Sequence, residues 1–150
     1  MSERPAPGNS LAMQIATSAD ALSCPTTCAA FARRLGFDDR SAREIEIAAA
    51  ELATSLLRHA GGGTLTARAV SEPFAGIELE TRDEGPGFAD IEVAMRDGFS
   101  QGKDLALEVP PTMRSGLGAG MGAIERLMDD LRIENRPNGG AIVTASKRLR

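Results

Sequence analysis

The sequence predicts an α/β fold: a two-layer α/β sandwich in which a mixed, mostly antiparallel sheet carries helices on one face. Short segments in which apolar and polar residues alternate are typical of half-buried strands. Longer segments with an apolar residue about every 3.6 positions are typical of amphipathic helices. These segments follow one another as β-α-α-β-β-(α)-loop-α-β-β, without an internal repeat.

Composition narrows the class of protein. The chain has 150 residues, of which 42% are apolar and 25% charged, as in one globular domain. It has five Phe and no Trp or Tyr, which leaves few aromatic side chains on which the bases of a single-stranded nucleic acid could stack. Its net charge of −4 disfavours binding to the phosphate backbone of a nucleic acid. No apolar run reaches the ~18 residues of a membrane span, and the N-terminus lacks a signal-peptide core. We therefore expect a cytoplasmic protein.

The N-terminal part of the chain is expected to contain a tail, a strand and a helix. Residues 1–10 include two prolines and a glycine and predict a loose tail ahead of a domain over 11–150. The alternating segment Leu11–Ala16 predicts the first strand. The segment Ala21–Leu35 predicts a helix that ends at Gly36.

Pro25 leaves two interpretations of this helix open. Proline has no N–H and is favoured in the first helical turn, so either the helix begins near Cys24 or it is kinked at Pro25. Cys24 and Cys28 share one helix face and have no second cysteine pair or histidine nearby. We interpret them as packing residues rather than as metal ligands or a redox pair.

The second helix has the clearest period. Asp38 or Asp39 is expected to cap it, and it ends near Ala60, ahead of Gly61–Gly63. Alternating segments later in the chain predict strands at Thr64–Val70, Gly76–Thr81, Leu131–Asn135 and Ala141–Ser146.

The periodicity weakens between residues 88 and 115. Residues 91–95 predict a short helix, and the polar segment after it contains Pro110-Pro111. A segment of this length inside a compact domain is either a functional lid or disordered. The third helix is then predicted at Gly120–Leu131, with Met121, Ile124, Leu127 and Met128 on one stripe.

Two glycine-rich segments indicate a nucleotide site. Asp83-Glu84-Gly85-Pro86-Gly87 follows a predicted strand, and a segment with glycine at 116, 118, 120 and 122 precedes the third helix. Glycine lets backbone amides approach a ligand, and the start of a helix carries partial positive charge that favours phosphate. The aspartate adds an acceptor that can bind a polar base.

Four segments in this order resemble the motifs of the Bergerat ATP-binding fold, which gyrase-type ATPases, MutL, histidine kinases and anti-sigma-factor kinases share. Residues 51–60 resemble its N-box helix, 83–87 its first glycine box, 116–121 its second, and 138–144 its closing strand pair. In size and motif wording the chain is similar to the RsbT-type switch kinases of the stressosome and their anti-sigma relatives. The resemblance covers nearly all of the chain after Ser10.

The resemblance implies a role for individual residues. Asp83 would accept a hydrogen bond from the adenine amino group, and Gly85 and Gly87 would let the backbone pass close to the base. Glu51 would orient or deprotonate the attacking hydroxyl, and Arg58 would contact phosphate. The helix pattern alone leaves a second interpretation open, in which Glu51 and Arg58 are ordinary charged residues on the exposed face of the helix.

Further residues are implied at the phosphate and pocket positions. His59 matches a pocket-lining residue, although packing explains it as well. Thr144 belongs to the closing strand pair and is expected to contact the nucleotide. Phosphate contacts are expected from Gly116, Gly118, Gly120, Arg114, Ser115 and Lys103.

Ser55 departs from the family's pattern. The family usually has Asn four residues after the glutamate, where its amide oxygen binds the Mg²⁺ that bridges the phosphates. A serine hydroxyl is shorter and a poorer acceptor for this metal. ATP or ADP binding is therefore a safer expectation than turnover with Mg²⁺.

The resemblance implies an ATP-dependent serine/threonine protein kinase of a partner-switching pathway. Its substrate would be a STAS-domain antagonist or scaffold protein, with a sigma factor or a phosphatase as a further partner. Two alternatives stay open. Ser55 favours a non-catalytic, nucleotide-gated binding module, and the anti-sigma relatives suggest a factor that holds a sigma factor stoichiometrically.

Overall fold

A computed structural model describes residues 9–88, 99–100, 103–104 and 120–150. The helices in these ranges are α1 (Ser18–Leu35), α2 (Asp39–Ala60) and α3 (Gly120–Leu127). The strands are β1 (Ser10–Ile15), β2 (Gly63–Val70), β3 (Gly76–Arg82), β4 (Phe99–Ser100), β5 (Lys103–Asp104), β6 (Asp130–Asn135) and β7 (Ala141–Arg148). Five strands form one sheet in the order β1-β2-β3-β7-β6, while β4 pairs with β5.

The two faces of the five-stranded sheet differ as strand alternation requires. Leu65, Ala67 and Leu79 are fully buried on the face that packs against the helices. The outer face carries charged pairs such as Arg68 with Glu78. The predicted two-layer sandwich is confirmed, and every pairing between described strands is antiparallel.

Capping residues fix the ends of α1 and α2. Thr17 Oγ1 accepts a hydrogen bond from Asp20 N at 3.2 Å, and Asp20 Oδ2 accepts one from Thr17 N at 3.0 Å, which is a capping box. Of the two candidate caps of α2, Asp38 is the N-cap. Gly36 and Gly61 follow the two helices with left-handed backbones, where a side chain would be strained.

α1 begins before the predicted Ala21 and continues through Pro25, which is buried inside it. The interpretation that this helix begins near Cys24 is therefore wrong, because the Thr17 cap lies a full turn and more upstream. Cys24 and Cys28 are free thiols, 3% and 0% exposed. The hydrogen bond with Cys24 and, after it, burial raise the pKa of the Cys28 thiol, so this thiol stays neutral in the core.

α3 ends at Leu127 instead of the predicted Leu131, because β6 already begins at Asp130. Lys147 is 7% exposed, and its Nζ donates a hydrogen bond to the Leu127 carbonyl at 2.6 Å. A cation at this end of a helix complements the helix dipole. Met121, Ile124 and Met128 pack into the core as predicted.

Several predictions concern residues outside the described ranges. These are the short helix at 91–95, most of the tail and most of the lid. Among the described helices, none combines the length and the apolar composition that crossing a bilayer requires.

Candidate functional site

The C-terminal half of α2 carries a row of polar side chains. Glu51, Ser55 and Arg58 are three or four residues apart and therefore share one face of the helix, with His59 beside them. Glu51 is 4% exposed, and the other three are half-buried. This row borders the apolar stripe of α2 that packs against the core, so its polar groups lie at the edge of the core rather than in open solvent.

Asp83 follows directly after β3, two residues beyond the buried Thr81, so alternation places it on the helix side of the sheet. Its Oδ1 accepts hydrogen bonds from Gly85 N at 2.9 Å and from Ala141 N at 3.3 Å. Within the described part of the chain, Oδ2 accepts none. One carboxylate oxygen therefore orients the group, and no described residue occupies the other, which can accept a hydrogen bond.

The glycines of the loop after β3 allow close packing. A Cβ at Gly85 would lie 2.8 Å from the Cβ of Ala60, so only glycine lets this loop touch the last turn of α2. Gly87 has φ +77°, and a Cβ there would lie 2.7 Å from Asn135 Oδ1. Packing alone thus explains both residues, and their predicted role beside a base remains a prediction.

His59 joins the α2 row to this loop. Its ring centroid lies 5.3 Å from that of Phe88, with the planes tilted by 53°. Burial, and then the charge of Arg58, lower the pKa of His59, while the carboxylate of Asp83 acts in the opposite direction. The end of α2 and the loop at 83–88 therefore form one corner of the molecule, which we call the α2 corner.

Thr144 does not belong to this corner. It stands opposite Glu80 in the β3–β7 register, whereas its neighbours Val143 and Ala145 are buried on the helix side. Side chains alternate along a strand, so Thr144 points to the outer face. The assignment of Thr144 as a nucleotide contact is corrected, because the sheet separates it from the α2 corner.

The predicted phosphate residues are only partly described. Gly120 is the first residue of α3, and Lys103 belongs to β5. Gly116, Gly118, Arg114 and Ser115 lie outside the described residues.

Asn135 and Arg136, which match none of the predicted site positions, hold the 83–88 loop. Arg136 Nη1 donates a hydrogen bond to the Asp83 carbonyl at 2.8 Å, and Asn135 bonds the backbone of Phe88. Arg136 also lines a polar cleft of about 430 Å³ with Arg82 and Glu84. Neither side chain belongs to a motif that a local pattern reveals, because the hydrogen-bond partners of both are distant in sequence.

The chemistry of the α2 corner fits an adenine nucleotide. It offers a carboxylate acceptor at Asp83, an aromatic and an imidazole ring at Phe88 and His59, and a cation at Arg58. No cluster of three or more His, Cys, Asp or Glu in the described ranges could hold a metal. A magnesium ion near Ser55 would therefore take most of its ligands from phosphate and water, as Mg²⁺ commonly does.

Comparison with known proteins gives matches along most of the chain. The histidine kinase-like ATPase domain family matches residues 18–147. The serine/threonine-protein kinase RsbT of Bacillus subtilis is 32% identical over 120 residues, covering 79% of this chain and 81% of RsbT. The anti-sigma F factor of Caldanaerobacter subterraneus is 31% identical over 125 residues, or 81% and 80% of the two chains. That of Heyndrickxia coagulans is 34% identical over 73 residues, or 49% and 44%.

Proposed function

Because the chain belongs to the histidine kinase-like ATPase domain family, we propose that it binds ATP and transfers the γ-phosphoryl group to a serine or threonine of a partner protein. The observation that carries this proposal is the α2 corner. There the carboxylate of Asp83, held through its Oδ1, lies next to a helix that carries Glu51, Ser55 and Arg58 on one face. Two adjacent elements thus offer a hydrogen-bond acceptor for the base (Asp83), a cation for the phosphates (Arg58) and a proton acceptor (Glu51).

Asp83 is the proposed adenine contact. Its Oδ1 is already held by Gly85 N and Ala141 N, so Oδ2 meets the exocyclic amine without further ordering of the side chain. Binding then costs little conformational entropy, which is the advantage of a pre-organised site. His59 and Phe88 flank this position and supply apolar contact to the base.

The phosphates are the proposed partners of Arg58 and of the amides at Gly116, Gly118 and Gly120, with Arg114 as a further cation. These groups stabilise negative charge on the transferring phosphoryl group. A magnesium ion held by Ser55 and the phosphate oxygens would supply additional charge neutralisation.

Glu51 is the proposed general base. It accepts the proton of the substrate hydroxyl while the hydroxyl oxygen bonds to the γ-phosphorus and the bond to the β–γ bridging oxygen breaks. ADP leaves, and the partner carries a phosphoserine or phosphothreonine. The burial of Glu51 supports this role, since a buried carboxylate is shielded from bulk water.

We propose a STAS-domain antagonist or scaffold protein as the substrate, since a kinase named RsbT and anti-sigma F factors are both similar to this chain. A non-catalytic, nucleotide-gated binding module is the second candidate. Ser55 favours it, because its hydroxyl is a weaker metal ligand than the family's usual Asn.

The test is transfer of label from γ-labelled ATP to STAS-domain proteins encoded near this chain's gene. The wild type should label one of them on serine or threonine. Glu51→Gln should lower the rate about a hundredfold or more, as expected for loss of a general base. Glu46→Gln is the matched control, because Glu46 lies on the same helix at another angle and has no assigned role.

Two outcomes would contradict the proposal. ATP binding without transfer to any STAS partner would leave the binding module as the function. Equal transfer rates of the wild type and Glu51→Gln would remove Glu51 from the chemistry.

A further inference from the structure

The chain between β6 and β7 forms a tight turn beside the loop at 83–88. Arg136 N donates to Gly140 O at 2.9 Å, and Gly139 N donates to Arg136 O at 3.2 Å. Gly139 and Gly140 have φ of +104° and +87°, which side-chain-bearing residues rarely adopt. A Cβ at Gly140 would lie 2.0 Å from the Asp83 carbonyl oxygen, so this turn packs backbone to backbone against Asp83.

Arg136 fixes the first residue of the loop. Its half-buried guanidinium donates to the carbonyl of Asp83 at 2.8 Å, and Asp83 N donates to Ala141 O at 3.2 Å. A hydrogen bond with a charged donor is about twice as strong as a neutral one, and partial burial limits competition from water. The backbone of Asp83 is therefore held on its carbonyl side by the first residue of the β6–β7 turn and on its amide side by the first residue of β7.

Asn135 fixes the last described residue of the same loop. Its Oδ1 accepts from Phe88 N at 2.9 Å, and its Nδ2 donates to Phe88 O at 2.8 Å. This side-chain amide thus satisfies both backbone groups of Phe88, as a neighbouring strand would. The ring of Phe88 is thereby held against His59.

Resting on the proposed function, we infer that Asn135 and Arg136, the clamp pair, are positioning residues for adenine recognition. They touch no nucleotide in the proposed arrangement. They set the direction of the Asp83 carboxylate and the place of the Phe88 ring before any ligand arrives. Selectivity for adenine over guanine therefore depends on them, because it depends on where the Asp83 acceptor lies.

The first experiment measures the loop without nucleotide. Amide hydrogen exchange of the nucleotide-free protein should show faster exchange at Gly85 in Arg136→Ala and at Phe88 in Asn135→Ala. Arg132→Ala is the matched control, since Arg132 is exposed on β6, four residues before Arg136, and its substitution removes the same charge. Unchanged exchange rates at these amides would show that the clamp pair does not hold the loop, and the inference would be overturned.

The second experiment measures ADP, ATP and GDP binding to the same variants by calorimetry. Arg136→Ala should weaken ADP and ATP about tenfold and by the same factor, because the lost contact lies at the base end and not at the phosphates. GDP should be weakened less, so the ratio of ADP to GDP affinity falls. Arg136→Lys, which keeps a charged donor, should recover part of this ratio.

A purely structural role for the clamp pair predicts a different pattern. If faster loop exchange leaves ADP affinity and the ADP-to-GDP ratio at wild-type values, the positioning role is overturned. If the wild type binds no adenine nucleotide at all, the proposed function fails, and the inference falls with it whatever the exchange data show.

Discussion

Ser55 is the residue whose chemistry decides between a kinase and a binding module. It lies one turn after Glu51 on the same face of α2 and is half-buried. A hydroxyl offers Mg²⁺ one short, neutral acceptor, whereas an Asn amide oxygen reaches about one atom further and is a better neutral ligand. Both outcomes are compatible with a folded protein, so substitutions at this position separate function from stability.

We predict that a kinase and a binding module respond differently to the substitutions Ser55→Ala and Ser55→Asn. In a working kinase, Ser55→Ala lowers phosphoryl transfer about tenfold or more, because a metal contact is lost. In a binding module the wild type shows no transfer, and Ser55→Asn strengthens ATP binding only when Mg²⁺ is present. Two measurements on all three proteins distinguish the cases: titration with ATP, with and without Mg²⁺, and the rate of transfer to a STAS-domain partner. Equal responses to Mg²⁺ throughout would show that position 55 is not at the metal.

His59 makes the stability of the folded protein depend on pH. It is the only histidine of the chain, and burial lowers its pKa below the ordinary 6.5. As the pH falls through 6.5, the unfolded chain takes up a proton that the folded protein does not yet accept. The free energy of unfolding therefore declines from its value at neutral pH until the lower, folded pKa is reached.

The variant His59→Gln should lack this decline. Denaturant unfolding at about pH 7.5 and about pH 5.5 measures it, since carboxylates titrate mostly below that range. The wild type should lose more stability between the two values than the variant does. The same loss in both proteins would mean that the pKa of His59 is not lowered by folding.

The C-terminal ends of α1 and α2 and the start of α2 followed from the sequence because caps and glycine stops act within a few residues. The start of α1 was predicted three residues too late. The end of α3 did not follow from the sequence either. The helix stops at Leu127 because β6 begins at Asp130, and Lys147 bonds the Leu127 carbonyl from a strand twenty residues later. Thr144 shows a different error: the apolar positions Ala141, Val143 and Ala145 already mark the inward face of β7, and that alternation outranks a motif position taken from a resemblance.

The β6–β7 turn gives a prediction for a single element. Gly140→Ala should destabilise the protein by about 2 kcal/mol or more beyond the cost of Gly61→Ala, measured as the free energy of unfolding. Both glycines have left-handed backbones, but a Cβ at Gly140 meets the Asp83 carbonyl at 2.0 Å, whereas one at Gly61 meets nothing within 4 Å. Equal costs for the two variants would mean that the turn does not press against Asp83.

The fold of the described chain was predictable from periodicity, and part of the α2 corner from motif spacing. Asp83 and the row on α2 lie where a local pattern of strand end or helix face puts them. The clamp pair was not predictable, because Asn135 and Arg136 act on residues 47 and 53 positions earlier in the chain. Contacts of that kind depend on the order of strands in the sheet, in which β7 lies beside β3 and β6 lies on the other side of β7.

The proposed function depends on Asp83 as the acceptor for adenine, and titration of Asp83→Asn with ADP tests this role. The amide oxygen of Asn can keep the hydrogen bonds of Oδ1, so its NH₂ group would occupy the place of Oδ2 and face the adenine amine, donor against donor. We predict a loss of about 1–3 kcal/mol, which corresponds to about 5- to 150-fold weaker ADP binding. Asp130→Asn, at an exposed position at the start of β6, should bind ADP as the wild type does. Equal ADP affinity of Asp83→Asn and the wild type would show that Asp83 does not bind adenine.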